Sequence, residues 1–210
     1  VIGSDFDDTI QGDGGNNSFT GSGGDDRIDG RGGRDFVWYG DATAAVVVDL
    51  AAGSATGGEG SDTLIGIEEV AGSSFSDTLR GSTDDDLFVP DWEASDMVNA
   101  AGGADLVDGR GGFDIVAYWT ALAGVQVDLA AGTATDGLGN TDTLISIEGA
   151  EGSEFGDTIQ GDAGANRIDG MGGDDTLAGG DGNDAVWGGN GRDRVFLGAG
   201  DDAFFDTGQG

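Results

Sequence analysis

Gly170-Met-Gly-Gly-Asp-Asp175-Thr-Leu177-Ala, Gly179-Gly-Asp-Gly-Asn-Asp184-Ala-Val186-Trp and Gly188-Gly-Asn-Gly-Arg-Asp193-Arg-Val195-Phe are three consecutive copies of one nine-residue unit. Its ideal form is Gly-Gly-x-Gly-x-Asp-x-apolar-x, and working outward it can be laid down fifteen times in three blocks. In register, the sixth place holds Asp8, Asn17, Asp26, Asp35, Asp77, Asp86, Asp96, Asp105, Asp114, Asp157, Asn166, Asp175, Asp184, Asp193 and Asp202, all oxygen donors. The eighth place holds Ile10, Phe19, Ile28, Val37, Leu79, Phe88, Val98, Val107, Val116, Ile159, Ile168, Leu177, Val186, Val195 and Phe204, without a polar exception. One side chain per unit therefore faces a dry interior.

The Gly-rich half of each unit can turn sharply, because glycine tolerates positive φ and close backbone approach. The remaining x-apolar-x is a three-residue strand with its middle side chain inward and its neighbours outward. Such a strand cannot stand alone, so successive units stack, two per coil, into two parallel sheets closed by loops. The fold class expected is all-β, a right-handed parallel β-roll or β-solenoid. Its core, a single file of side chains on each sheet, is too thin to offset the ordering cost of so many glycines.

A coil of eighteen residues places Asp8 beside Asp26, Asp157 beside Asp175, Asp175 beside Asp193, and Asp184 beside Asp202. Carboxylates stacked at the strand spacing of about 4.8 Å repel unless a cation lies between them. Carboxylate and carbonyl oxygens in flexible geometry suit Ca²⁺, with six to eight ligands, better than Mg²⁺ or a transition metal.

With these units the chain resembles the RTX, or haemolysin-type, calcium-binding repeats of bacterial proteins exported by type I secretion. The resemblance implies several Ca²⁺ ions between successive turns, held by sixth-place carboxylates and by carbonyls of the Gly-rich loops. It also implies a secreted or cell-surface location. The candidate ligands are Asp8, Asn17, Asp26, Asp35, Asp86, Asp96, Asp105, Asp114, Asp157, Asn166, Asp175, Asp184, Asp193 and Asp202. Phe6, Phe75 and Phe155 replace the fourth-place Gly where a block opens, and are expected to be apolar plugs beside weakened metal sites. An extra residue, Pro90, and a glycine-free stretch, Asp91 to Asn99, predict a bulge and a weak or missing ion between Asp86 and Asp105. Asn17 and Asn166 keep the oxygen but lose the charge, so their sites should bind more weakly.

The nonapeptide blocks run over 3–38, 72–117 and 152–205, and two similar inserts, 39–71 and 118–151, separate them. Val46, Val48 and Leu50 alternate with Val47 and Asp49; Val125, Val127 and Leu129 alternate with Gln126 and Asp128. This is strand periodicity with one face buried. Each insert reads as a wider coil of one continuous solenoid over 1–210, about two strands joined by a Gly-rich loop, although a separate hairpin flap would give the same pattern.

The 45 Gly and the formal charge of −33 predict a chain that stays disordered without cation. There is no Cys, so metal takes the place of disulfide stapling in a secreted protein. No stretch is apolar enough to cross a membrane, and the charge disfavours nucleic acid. The ends, Val1-Ile2-Gly3 and Gly208-Gln209-Gly210, read as a segment of a longer protein. The absence of His, Cys and Lys excludes Ser-His-Asp, Cys-His, zinc-protease and Schiff-base chemistry, leaving only a carboxylate pair, and the repeat already explains nearly every Asp. The expectation is that this is not an enzyme.

Outward or irregular aromatics, Trp38, Tyr39, Trp92, Trp119, Trp187 and Phe205, are candidates for contact with a partner or a sugar; the alternative is that they cover the core under the inserts. Phe205 lies eighteen residues after Trp187 and should stack on it. Arg side chains such as Arg31, Arg34 and Arg110 could meet acidic polysaccharide, or pair with Asp. Two functions compete: a calcium-folded extracellular structural or adhesive segment (adhesin, filament or surface layer), associating with itself or other surface proteins, and a non-catalytic accessory domain of a secreted protease, lipase or alginate epimerase that aids secretion, folding and polysaccharide binding.

Overall fold

The computed structural model describes residues 1–58, 60–82, 86–89 and 103–205. Its described residues form strands and turns without a helix, and the strands make two sheets. The smaller has nine strands in chain order: Ser18–Phe19, Phe36–Trp38, Glu69–Ala71, Leu87–Val89, Ile115–Ala117, Gly149–Glu151, Arg167–Asp169, Ala185–Trp187 and Ala203–Phe205, all paired in parallel. Successive nonapeptides alternate between the two sheets. The register follows the eighteen-residue coil, with Ile168 opposite Val186 and Leu177 opposite Val195. The chain is a parallel β-roll.

The larger sheet has thirteen strands. Each insert lays three strands into it, where sequence periodicity indicated about two. In the first insert, Val46–Asp49 pairs antiparallel with Ser54–Gly57, which pairs antiparallel with Gly60–Ile65. The outer two rejoin the roll in parallel, Gly60–Ile65 on Arg27–Asp29 and Val46–Asp49 on Thr78–Arg80. Gln126–Asp128, Thr133–Thr135 and Thr141–Ile145 repeat this between Leu106–Asp108 and Thr158–Gln160. The insert is thus neither a flap nor a uniform widening: each gives three strands to the larger sheet and one, Glu69–Ala71 or Gly149–Glu151, to the smaller, two more on the larger sheet than a regular coil supplies. At about 4.8 Å per strand, the larger sheet is longer by roughly 10 Å per insert, a mismatch that curvature or fanning of the strands must take up.

Local chemistry explains the first reversal. After Val46–Asp49 the Asp49 carboxylate accepts the Ala52 N–H at 2.8 Å, and Gly53 takes φ 66°; Asp128, Ala131 and Gly132 (φ 68°) repeat it. An Asx turn followed by a left-handed glycine closes a hairpin. The shared Asp-Leu-Ala-Ala-Gly of the two inserts is therefore turn chemistry.

Eighth-place residues form the core as expected at Phe19, Ile28, Val37, Leu79, Val107, Val116, Ile159, Ile168, Leu177 and Val186, and Leu64, Val48, Ala55, Leu144, Val127 and Ala134 continue the file through the inserts; Val195 is partly buried and Phe204 exposed, because no described coil covers the last strands. A second cluster lies on the outward places of the nine-stranded sheet, where Ala71, Leu87, Ile115 and Ala117 are buried beside Phe36, Trp38 and Phe113. The fourth-place Phe residues differ from expectation. Phe6, Phe75 and Phe155 are exposed rather than plugging the core, because the fourth place stands on the outer curve of the turn. Pro90, Asp91 to Asn99, Asp96 and Trp92 lie outside the described residues.

Candidate metal sites

The sixth-place side chains line the two edges of the roll, where turns pass from one sheet to the other. Each is clamped to the coil before it. Asp26 Oδ1 accepts the Asp8 N–H at 2.9 Å, Asp35 that of Asn17 at 2.8 Å, Asp175 that of Asp157 at 2.8 Å, Asp184 that of Asn166 at 2.9 Å, and Asp193 and Asp202 those of Asp175 and Asp184 at 3.1 Å. Asp77 N–H donates to Asp105, and Asp86 N–H to Asp114. The structure therefore brings together the pairs that the eighteen-residue spacing predicts in the first and third blocks; in the second block the partners are 28 residues apart, so Asp86 meets Asp114 and Asp105 meets Asp77, and Asp86 and Asp105 lie on different sheets and share no site.

The turns fall into two kinds that sequence alone does not separate. In the first, the second-place N–H donates to the sixth-place side chain: Ser4 to Asp8, Asp13 to Asn17, Ser73 to Asp77, Ser82 to Asp86, Ser153 to Asp157 and Asp162 to Asn166. The Ser4, Ser73 and Ser153 hydroxyls add a second bond. In the second kind, the second and fourth places both have positive φ. Ser22 (70°), Arg31 (76°), Arg110 (70°) and Met171 (66°) adopt this conformation although they are not glycine, followed by Gly24, Gly33, Gly112 and Gly173 at 115–125°; Gly180 with Gly182, Gly189 with Gly191 and Gly198 with Gly200 do the same.

The left-handed second residue turns its N–H away from the carboxylate. At Asp26, Asp35, Asp175 and Asp184, buried to 2 % exposure or less, Oδ2 consequently has no hydrogen-bond partner. A buried carboxylate oxygen without a donor is costly, as is a left-handed non-glycine residue, and both persist only where something else stabilises them. The first-place glycine shows what fits. A methyl group on Gly170 would lie 2.5 Å from Asp175 Oδ2 and 2.7 Å from the Gly188 carbonyl oxygen of the next coil, and one on Gly179 would collide with Asp184 Oδ2 and the Leu197 carbonyl. Side-chain and carbonyl oxygens converge on the first-place glycine here as they do at Gly12 and Gly161, and the left-handed turns differ in leaving the carboxylate oxygen without a donor. No three acidic side chains cluster among the described residues, so a hard cation there draws on carbonyls as much as on carboxylates.

Electrostatics agree. Burial pushes the Asp175 carboxyl up to about 7, opposed by its bond from Asp157 and reinforced by the Asp157, Asp193 and Asp174 charges; Asp26 and Asp184 are raised for the same leading reason. Burial also raises Asp142, to about 6. For Asp142 that rise corresponds to about 3 kcal/mol. Because the folded value is the higher one, this stability is fully present below pH 3.8 and lost as the pH rises through about 6. Calcium-free chain is expected to gain β signal by circular dichroism between pH 8 and pH 4, and a loss of signal over that range would contradict the burial of these carboxyls.

Sequence reasoning missed four carboxylates by which the inserts continue the edges. Asp62 and Asp142 accept the Asp26 and Asp105 N–H groups at 3.0 Å, and Glu68 and Glu148 those of Asp35 and Asp114 at 2.9 and 3.0 Å. Asp62-Thr-Leu64 and Asp142-Thr-Leu144 echo Asp77-Thr-Leu79, a legible signal; Glu68 and Glu148 had none. It missed a reverse ladder as well: fifth-place Asp7, Asn16, Asp174 and Asn183 accept N–H groups from the following coil.

The candidate contact residues divide. Tyr39 and Tyr118 are buried, their hydroxyls donating to Asp62 and Asp142 at 2.8 Å, so Tyr39 is a latch in the core and is not available to a partner. Tyr39→Phe and Tyr118→Phe should each cost about 1–3 kcal/mol in urea unfolding at saturating calcium, since each strips a donor from a buried carboxylate; a cost near zero would mean the carboxyls are already protonated. Trp38 is partly buried against the outer cluster, and Trp119 is exposed. Trp187 stacks on Phe205 at 4.7 Å and 12°, with the Arg167 guanidinium 5.3 Å from its ring centre. Arg34, Arg110 and Arg167 pair with Glu69, Asp49 and Glu151.

Three-residue parallel strands, Gly-rich turns and paired carboxylates at the edges define a parallel β-roll. The model of the RTX calcium-binding nonapeptide repeat (4 copies) matches residues 2–37, 71–89, 93–116, 151–186 and 170–204, more than half of the chain. The chain belongs to this family of calcium-binding repeats, and both inserts lie outside the matched segments. Comparison with curated proteins finds no match.

Proposed function

We propose that this chain is a calcium-folded, extracellular structural or adhesive segment of a secreted bacterial protein, and that the left-handed turns hold its ions. Asp175 with the Asp193 coil, and Asp184 with the Asp202 coil, are the strongest sites, with Asp26 a third; Asp8, Asn17, Asp86, Asp157 and Asn166, closed by second-place N–H groups, act chiefly as latches. Asp105 belongs with the ligands by its place. The carrying observation is the set of buried, unpartnered Oδ2 atoms of Asp26, Asp35, Asp175 and Asp184, faced at Asp35, Asp175 and Asp184 by a carbonyl oxygen of the following turn. Two hydrogen-bonded sheets running through all three blocks support a mechanical role, because ions at their edges stiffen one body. The outward Trp187–Phe205 stack supports association through its face. Sedimentation velocity in saturating calcium tests this: parent chain should self-associate, and Trp187→Ala with Phe205→Ala should abolish it without changing the circular dichroism. A parent that stays monomeric at every concentration would remove the self-adhesive part of the reading.

A further inference from the structure

The inserts interrupt the family repeat, yet the nine-stranded sheet passes each of them without a break, Val37 pairing with Val70 and Val116 with Ala150. At that edge a left-handed turn meets a turn made by the insert. The turn before Asp35 has Arg31 at φ 76° and Gly33 at 117°, and Asp35, with no exposed surface, has an unpartnered Oδ2. A methyl group on Gly30 would lie 2.5 Å from that oxygen and would also collide with the carbonyl oxygen of Gly66, in the insert. Gly66 is itself left-handed at φ 58°, and two residues later Glu68 Oε2 accepts the Asp35 N–H at 2.9 Å. The second insert builds the same arrangement independently: a methyl on Gly109 would meet Asp114 Oδ2 and the Ser146 carbonyl, Ser146 has φ 52° although it is not glycine, and Glu148 Oε2 accepts the Asp114 N–H at 3.0 Å.

The use of glutamate follows from chain length. In the nonapeptide, seven residues lead from the eighth-place apolar residue to the next sixth-place carboxylate, as from Ile28 to Asp35; in the inserts only four lead from Leu64 to Glu68 and from Leu144 to Glu148. The shorter turn sets the backbone back, and the extra methylene of glutamate restores the reach.

We propose that each insert completes a divalent-cation site with the preceding nonapeptide turn. Asp35, the Gly66 carbonyl and Glu68 form one, and Asp114, the Ser146 carbonyl and Glu148 the other. This rests on the reading that the left-handed turns bind calcium, and adds the partner that the family repeat does not contain. Each ion fastens the insert to the roll at one edge, while at the opposite edge the Asp26 and Asp105 N–H groups of the roll donate to Asp62 and Asp142 of the inserts, carboxylates that Tyr39 and Tyr118 hold in place.

The test is the ion count of the full chain by native mass spectrometry at near-saturating free calcium, alongside circular dichroism. Glu68→Gln and Glu148→Gln should each carry one ion fewer than the parent while keeping its spectrum, and the double variant two fewer. Asp175→Asn serves as the control for a nonapeptide site. An unchanged count in both glutamine variants, with a loss in Asp175→Asn, would overturn the insert sites and leave the calcium reading standing; an unchanged count in Asp175→Asn as well would overturn both. If Glu68→Gln did not fold, Glu68→Lys places an ammonium where the cation would sit: folding with one ion fewer supports the site, and folding with the full count overturns it.

Discussion

In chelator at neutral pH the purified chain is expected to give the far-UV circular dichroism of a coil, and to pass cooperatively to a β spectrum as Ca²⁺ approaches millimolar, with Mg²⁺ failing to substitute. A charge of −33 and 45 glycines oppose compaction, and the core that answers them is a single file on each sheet. The folded chain also buries Asp26, Asp35, Asp175 and Asp184 with an oxygen that no protein group satisfies. Extracellular calcium modules bind with dissociation constants of about 10⁻⁴ to 10⁻³ M. A site saturated tenfold to a hundredfold contributes about 1.4 to 2.7 kcal/mol, so several together exceed the net stability of a typical domain. Mg²⁺ demands tighter octahedral geometry and dehydrates reluctantly, which a turn built largely of carbonyls does not accommodate. A β spectrum fully formed in chelator would show that the carboxylates are stabilised by other means and would defeat the calcium switch.

Asp175→Ala should raise the calcium midpoint several-fold and flatten the transition, whereas Asp77→Ala should raise the midpoint less and leave the steepness unchanged. The two residues are equally buried and each accepts an N–H from another coil or insert strand, Asp157 to Asp175 and Val46 to Asp77. They differ at the other oxygen. The Ser73 N–H donates to Asp77 Oδ2, its hydroxyl adding a bond to Oδ1, while Asp175 Oδ2 has only the Gly188 carbonyl near it beside Gly170. Losing a buried acceptor costs about 1–3 kcal/mol in either case, visible in urea unfolding at saturating calcium. Only the first variant also removes an ion, which is what the steepness of a calcium titration followed by circular dichroism reads. Equal shifts and equal flattening in the two variants would mean that the two kinds of turn do not differ in function.

The difference between the two kinds of turn was half visible in the residues. Ser at the second place and Phe at the fourth, in Gly3-Ser4-Asp-Phe6 and Gly152-Ser153-Glu-Phe155, mark turns in which a Ser N–H reaches the carboxylate, and the Phe side chains are exposed where apolar plugs were expected. Gly12-Asp13-Gly-Gly15 and Gly30-Arg31-Gly-Gly33 share their glycines, yet Gly33 takes φ 117° while Asp13, whose carboxylate accepts the Gly15 N–H, donates its own N–H to Asn17. The sixth-place residue and the second-place conformation are set together, and only the folded backbone shows which combination is adopted.

The sequence by itself determined the β-roll, its two-sheet alternation, the apolar file from Ile10 to Val186 and the stacking of Trp187 on Phe205. Those features depend on neighbours eighteen residues apart, and a strict period writes that distance into the chain. The tertiary structure alone decided that each insert contributes three strands to one sheet, that Tyr39 and Tyr118 reach Asp62 and Asp142, and that Glu68 and Glu148 extend the carboxylate edge. Those contacts join residues 23 to 37 apart at spacings that do not repeat along the chain. Where the period is broken, partners are selected by how the coils come to lie over one another, and that is a property of the packed roll.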